Sequence, residues 1–233
     1  GSPSEYNGAV NDAFSSAYRQ VYYRVQMTRT AGATWTGISS YDFGDERVFF
    51  GVPGTPNPAS GLREFGVEQN GTTYSGMPVV NGVTYDLVAK LDFVNDVIAL
   101  YVNPDFSKPE NQNTPVATRP YLFGNWSTAI RLGSGGTGQT VWDNAVIGTS
   151  WSAVQRAYPV NVPASGADEV VGMDTFDYPG GNIVNRDGGT AWDFDNNNGD
   201  SFVGHTQIQS SWDNSFGNPY IDGDRQSLGT WES

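Results

Sequence analysis

Hydrophobic and polar residues alternate in short runs along the first two-thirds of the chain, with glycine, proline and asparagine between the runs. From Val21 to Arg29 the residues Val21, Tyr23, Val25 and Met27 fall on one face and Tyr22, Arg24, Gln26 and Thr28 on the other, which predicts a half-buried strand. Thr34–Ser39 and Arg47–Val52 read as two further strands, the second closed by the proline- and glycine-rich stretch Pro53–Gly61. Leu62–Glu68 runs into Gln69-Asn70-Gly71-Thr72, whose Asn-Gly pair is a strong hairpin signal. Thr84–Phe93 and Val97–Pro104 predict two long strands joined by a tight turn at Asn95-Asp96. Tyr121–Leu132 and Thr140–Gly148 supply closing strands around the glycine cluster Gly133–Gly138. In Thr140–Gly148, Trp142 and Val146 are expected to share a buried face, with Trp151 following as a cap on the sandwich. The total is about eight strands between residues 20 and 150, the usual number for a double-sheet jelly roll.

Composition sharpens this picture. The 29 glycines and 13 prolines among 233 residues favour turns over long helices, and an all-β sandwich of this length is routinely one main domain. Twenty-five acidic against twelve basic residues give a formal charge of −13, a field that repels nucleic acid and anionic lipid headgroups. The absence of cysteine removes disulfides, thiolate metal sites and cysteine nucleophiles together. No stretch approaches the roughly 18 apolar residues that predict a membrane span. The acidic, Asn/Gly/Thr-rich, lysine-poor make-up is typical of extracellular bacterial β-proteins, so an extracellular or cell-surface location is expected.

Tyr85-Asp86-Leu87-Val88-Ala89-Lys90-Leu91-Asp92-Phe93, Ala99-Leu100-Tyr101-Val102-Asn103-Pro104 and Trp142–Trp151 together resemble the laminin-G-like, concanavalin A-like repeats of very large bacterial surface proteins. The resemblance spans roughly residues 20 to 154 and implies an all-β antiparallel sandwich of jelly-roll type. It is nearly silent about ligand, because lectins, glucanases and adhesion modules share the fold. Residues 1–154 are read as a jelly-roll core lacking its first strands, 155–169 as a linker, and 170–233 as a tail too poor in branched aliphatics to pack a core alone. Within the tail, Phe176-Asp177-Tyr178-Pro179-Gly180-Gly181 and Gly188–Trp192 resemble the opening strand and loop of such a repeat. Glu5-Tyr6-Asn7-Gly8, in contrast, resembles the middle of one.

The chain therefore reads as a repeat cut at an internal point. An unpaired sheet edge and an open groove would result. The tail, with Phe176 and Tyr178 as assembly residues, folds back on its own core or fills the groove of the next copy, with an independent minidomain as the lesser alternative. The fifteen-residue linker reaches up to ~50 Å extended, so distance forbids neither.

The chemistry-bearing residues are sparse. A retaining glucanase of this fold needs two carboxyl groups about 5.5 Å apart; the nearest match is Glu64-Phe65-Gly66-Val67-Glu68, with glycine at the position of the middle acid. The plain reading of Glu64 and Glu68 is a solvated strand face, and no catalytic residue is assigned. His205 is the single histidine, with no Gly-x-Ser-x-Gly elbow to accompany it, so neither a serine triad nor zinc is expected. Structural calcium is the one cofactor with enough oxygen ligands. Asp193, Asp195, Asn197 and Asp200 resemble an imperfect calcium loop, and the glucanase-like arrangement would set Asp143 beside Asp177 to pin tail to core. Among the aromatics, Trp35, Tyr41, Trp126 and Trp192 are the candidates for stacking on sugar rings. Asn70-Gly71-Thr72 and Asn125-Trp126-Ser127 match glycosylation sequons.

Three functions compete on these residues. The leading expectation is a non-catalytic surface or fibre module that binds copies of itself head to tail by strand complementation. The alternative is a monomeric, circularly permuted module binding extracellular polysaccharide. A polysaccharide-active glycosidase comes last.

Overall fold

The computed structural model describes residues 20–42, 45–121 and 129–155 and, after them, the strands of residues 170–174, 181–182, 193–196, 200–203, 220–222 and 227–231. The described chain is almost wholly β. In order it forms β1 (Gln20–Arg29), β2 (Ala33–Asp42), β3 (Asp45–Val52), β4 (Glu64–Glu68), β5 (Thr72–Pro78), β6 (Thr84–Asp92), β7 (Val97–Val102), β8 (Ala117–Pro120), β9 (Ala129–Gly136) and β10 (Gln139–Gly148). A short helix, α1 (Trp151–Gln155), comes next. The later strands are β11 (Val170–Asp174), β12 (Gly181–Asn182), β13 (Asp193–Asn196), β14 (Asp200–Val203), β15 (Tyr220–Asp222) and β16 (Ser227–Trp231).

Two antiparallel sheets make the sandwich. The larger runs β12-β15-β16-β10-β1-β6-β7-β8, with β11 also paired to β10; the smaller runs β5-β4-β3-β2-β9; β13 and β14 form a separate ribbon. The chain starts in the large sheet, crosses for four strands, returns for three, crosses once more at β9 and comes back at β10. This winding is that of an antiparallel β-sandwich jelly roll, as expected. The core lies between the inner faces, where Val25, Met27 and Leu87 of the large sheet meet Ile38, Phe50 and Phe65 of the small one. Phe65 packs edge-on against Tyr85 across the gap, centroids 4.9 Å apart.

Several expectations hold in detail. β6 and β7 pair from Leu87↔Val102 to Asp92↔Val97, and the turn between them takes Asp96 to φ 51°. The Asn-Gly turn joins β4 to β5 with Asn70 at φ 49° and Gly71 at φ 114°.

Others need correction. β1 is buried on both faces from Val21 to Val25, not half-buried, because α1 and the segment before β8 cover its outer side. Trp142 and Val146 lie on opposite faces: Trp142 is in the main core and Val146 in the outer cluster with Trp151. The cause is a β-bulge. Arg24 pairs with Val146 but Gln26 with Asp143, so one extra residue enters β10, and Asn144 adopts φ 53°. Within the glycine cluster, Gly133, Gly135 and Gly136 belong to β9. Of the strand expected from Tyr121 to Leu132, residues 129–132 belong to β9, Tyr121 follows the end of β8 at Pro120, and residues 122–128 lie outside the described residues.

Tail strands extend the large sheet. β11 pairs with the second half of β10, from Ala145↔Asp174 to Gly148↔Val170. β16 pairs with the first half, from Gln139↔Trp231 to Trp142↔Leu228. The edge of β10 that faces away from β1 is thus occupied over both halves by later segments of the same chain.

Candidate functional site

The outer faces of the two sheets are built differently. On the large sheet the outer face is covered over β1, β6, β7 and β10. Trp151 stands edge-on to Tyr22 and Tyr101, with centroids 6.3 and 5.1 Å away, and its indole N–H donates to the carbonyl of Lys108 at 3.2 Å. Arg24 lays its guanidinium 3.8 Å from the ring centre of Phe106, pairs with Asp86 at 3.0 Å and donates to the carbonyl of Val154 at 2.8 Å. Glu110 accepts hydrogen bonds from the hydroxyls of Tyr22 (2.6 Å) and Tyr101 (2.8 Å) and from Lys90 (2.7 Å). Burial, followed by the adjoining Glu110 carboxylate, pushes both tyrosine hydroxyls above their ordinary range. Sequence reasoning missed this polar cluster. Its one signal was Tyr22, an aromatic residue on the face of β1 otherwise held by polar ones.

The small sheet offers the candidate face. Ile38, Phe50 and Val67 point inward, so the alternation of the strands sends Trp35, Gly37, Ser39, Phe49 and Glu68 outward. Register then places Gly133, Gly37, Gly51 and Gly66 side by side on β9, β2, β3 and β4. A row of residues without side chains leaves a trough across four strands, and aromatic rings lie in part of it. A Cβ added at Gly135 would stand 2.0 Å from the indole nitrogen of Trp35, and one at Gly133 would stand 2.9 Å from the same ring. At Gly37 it would meet the Phe49 ring at 2.6 Å. Trp35 and Phe49 pack edge to face at 6.2 Å.

Charged groups border the rings. The Arg131 guanidinium lies 5.0 Å from the Trp35 ring centre and donates to Glu46 (2.8 Å) and to the Ser39 hydroxyl (3.2 Å). Ser39 in turn donates to the other Glu46 oxygen at 3.3 Å. Glu68 accepts from Thr72 at 2.8 Å. Between these groups opens a cleft of about 350 Å³, lined by Glu46, Arg47, Phe49, Glu68, Gln69 and Asn70. A half-buried indole, fixed on glycines and followed by a polar cleft, can take a flat ligand ring with hydroxyl groups at its edge.

Glu64 is corrected from a solvated side chain to a buried one, 3 % exposed. It accepts from Ser60 Oγ (2.6 Å), Asn57 Nδ2 (2.8 Å) and the N–H of Gly76 (3.0 Å). These donors, Ser60 first, hold its carboxyl below the usual glutamate range. Glu64 fastens the loop before β4 to the strand beyond it.

Of the other sequence-derived candidates, Tyr41 pairs with Glu46 and Ala129 in the ladders of β2. Asp143 sits half-buried at the bulge, opposite Gln26. Asp193 and Asp195 lie on β13 and Asp200 on β14, with Asp195 paired to Ser201 and Asp200 to Asn196. Asn197, Asp177, Phe176, Tyr178, Trp126, Trp192 and His205 lie outside the described residues. Among the described residues no three carboxylate or histidine side chains gather as a metal site.

No protein-family profile matches the chain, and no curated protein matches it. Among solved structures the chain is similar to a candidate carbohydrate-binding protein from Bacteroides ovatus ATCC 8483, with TM-score 0.48 and 10 % identity over 91 % of this chain and 52 % of the other. It is also similar to a GH131 β-glucanase catalytic domain from Podospora anserina, with TM-score 0.32 and 16 % identity over 57 % of this chain and 61 % of the other. The chain thus spans about half the length of the first and three-fifths of the second.

Proposed function

We propose that this chain is a non-catalytic carbohydrate-binding module of the laminin-G-like, concanavalin A-like type, acting outside the cell. In this reading it meets polysaccharide with the outer face of its five-stranded sheet. The observation that carries the proposal is the placement of Trp35: its ring rests on Gly133 and Gly135 beside the Arg131–Glu46 pair and leads through Phe49 to the cleft. The opposite outer face is filled by Trp151, Phe106 and Glu110, which favours the small sheet as the ligand face. A net charge of −13 favours neutral glycans over anionic ones.

The pairing of β11 and β16 with β10 of the same chain supports closure of the tail in cis, hence a monomer in place of a head-to-tail fibre. The test is retention on a panel of neutral polysaccharides, followed by Trp35→Ala. Affinity should fall at least about tenfold, roughly 1.4 kcal/mol, while near-ultraviolet circular dichroism keeps its remaining aromatic bands. Binding unchanged in the variant, or no retention on any glycan, would overturn the proposal.

A further inference from the structure

Inside the sandwich, away from the binding face, lies a charge with almost nothing to bond to. Arg29 continues the inward series Val21, Tyr23, Val25, Met27 of β1 and is 2 % exposed. Its Nη2 donates to the carbonyl of Ala33, but Nε and Nη1 have no acceptor. Trp142, fully buried, also has an unpartnered indole N–H. The two are neighbours by register: Arg29 pairs with Thr140 and Met27 with Trp142, so both side chains leave adjacent rows of one inner face.

Buried donors almost always find acceptors, and a buried cation without a counter-charge is among the costliest features a core can hold. Burial lowers the Arg29 pKa to about 10, and the next contribution, from Arg63, acts in the same direction. Arg63 donates to the carbonyls of Thr34 and Gly54. Two guanidinium groups therefore act on this end of the sandwich, and no ion pair joins either to a carboxylate among the described residues.

We propose that the interior around Arg29 and Trp142 is a site for a small monovalent anion, of the halide or formate class, held by Arg29 Nε and Nη1 and by the Trp142 indole N–H. The positive field selects an anion over a water molecule, which would satisfy the donors but leave the charge unbalanced. The site is independent of the glycan face, because its residues point to the opposite side of the small sheet from Trp35.

The test is thermal unfolding of the full chain at constant ionic strength, with chloride, bromide or formate replacing a bulky buffer anion too large to enter. Wild type should gain about 2–4 °C at saturation. Trp142→Phe, which removes one donor and keeps the ring, should need several-fold more anion for the same gain. Arg29→Met should lose the dependence altogether. If Arg29→Met fails to fold, bromide-soaked crystals still decide the matter by an anomalous peak within hydrogen-bonding distance of the guanidinium. A melting temperature indifferent to the anion, as a water or a carboxylate of this chain at the site would give, overturns the proposal, and so does a crystal without that peak.

Discussion

At the scale of single residues, Glu64 shows how position decides chemistry. A glutamate two residues from a glycine and four from a second glutamate has the spacing of a catalytic pair, but Ser60, Asn57 and Gly76 have taken its oxygens. Its folded pKa is below its unfolded one. The stability this adds is therefore complete above the unfolded value of about 4.3 and is lost as pH falls through the lower folded value. Glu64→Gln turns an amide N–H₂ toward donors, so its melting temperature should lie below wild type at pH 7. The gap should narrow as the solution is acidified below about pH 4. A constant gap across that range, followed by calorimetry, would show that the carboxylate is not held as an anion. The glycines of the trough act in the opposite sense, through what they lack: a methyl group at Gly37 would come within 2.3 Å of the Phe50 carbonyl oxygen.

At the scale of elements, legibility followed the distance over which the causes act. β6, β7 and the turn between them were readable because period-two alternation and turn residues are local properties. Trp35 was readable as an aromatic near a strand end. Its surroundings were not, since Arg131 reaches Ser39 across a sequence separation of 92 residues and Glu46 across 85. The double burial of β1 was hidden for the same reason, its cover coming from Phe106 and Trp151. The β10 bulge was hidden differently: an inserted residue reverses the parity of every later side chain, and nothing in Trp142-Asp143-Asn144-Ala145-Val146 marks where the count slips. Asn144 carries that slip at φ 53° and donates to Gln26 Oε1 at 3.0 Å. Asn144→Val should therefore destabilise more than Asn144→Gly, by about 1–2 kcal/mol, because a β-branched residue resists the left-handed region that glycine enters freely. Equal urea midpoints for the two variants would mean that the bulge is not held at this residue.

At the scale of the whole molecule, β10 is the strand on which the architecture turns. It pairs with β1 on one side and on the other with β16 along Gln139–Trp142 and with β11 along Ala145–Gly148. Without those partners, β10 would become an edge strand of ten residues, a length that invites pairing with other molecules. A chain ending at residue 169 should therefore show a lower denaturation midpoint than the full chain and form oligomers that grow with concentration in light scattering, while the full chain stays monomeric. Supplying residues 170–233 as a separate polypeptide should restore the monomer-sized particle as a one-to-one complex, because the free edge accepts the strands whether or not a linker delivers them. A truncated chain that stays monomeric with an unchanged midpoint would show that the edge needs no cover, and the tail strands would then be passengers on the sandwich and not part of its closure. A full chain that oligomerises while the truncated one does not would reverse the assignment, making the tail the agent of assembly between molecules.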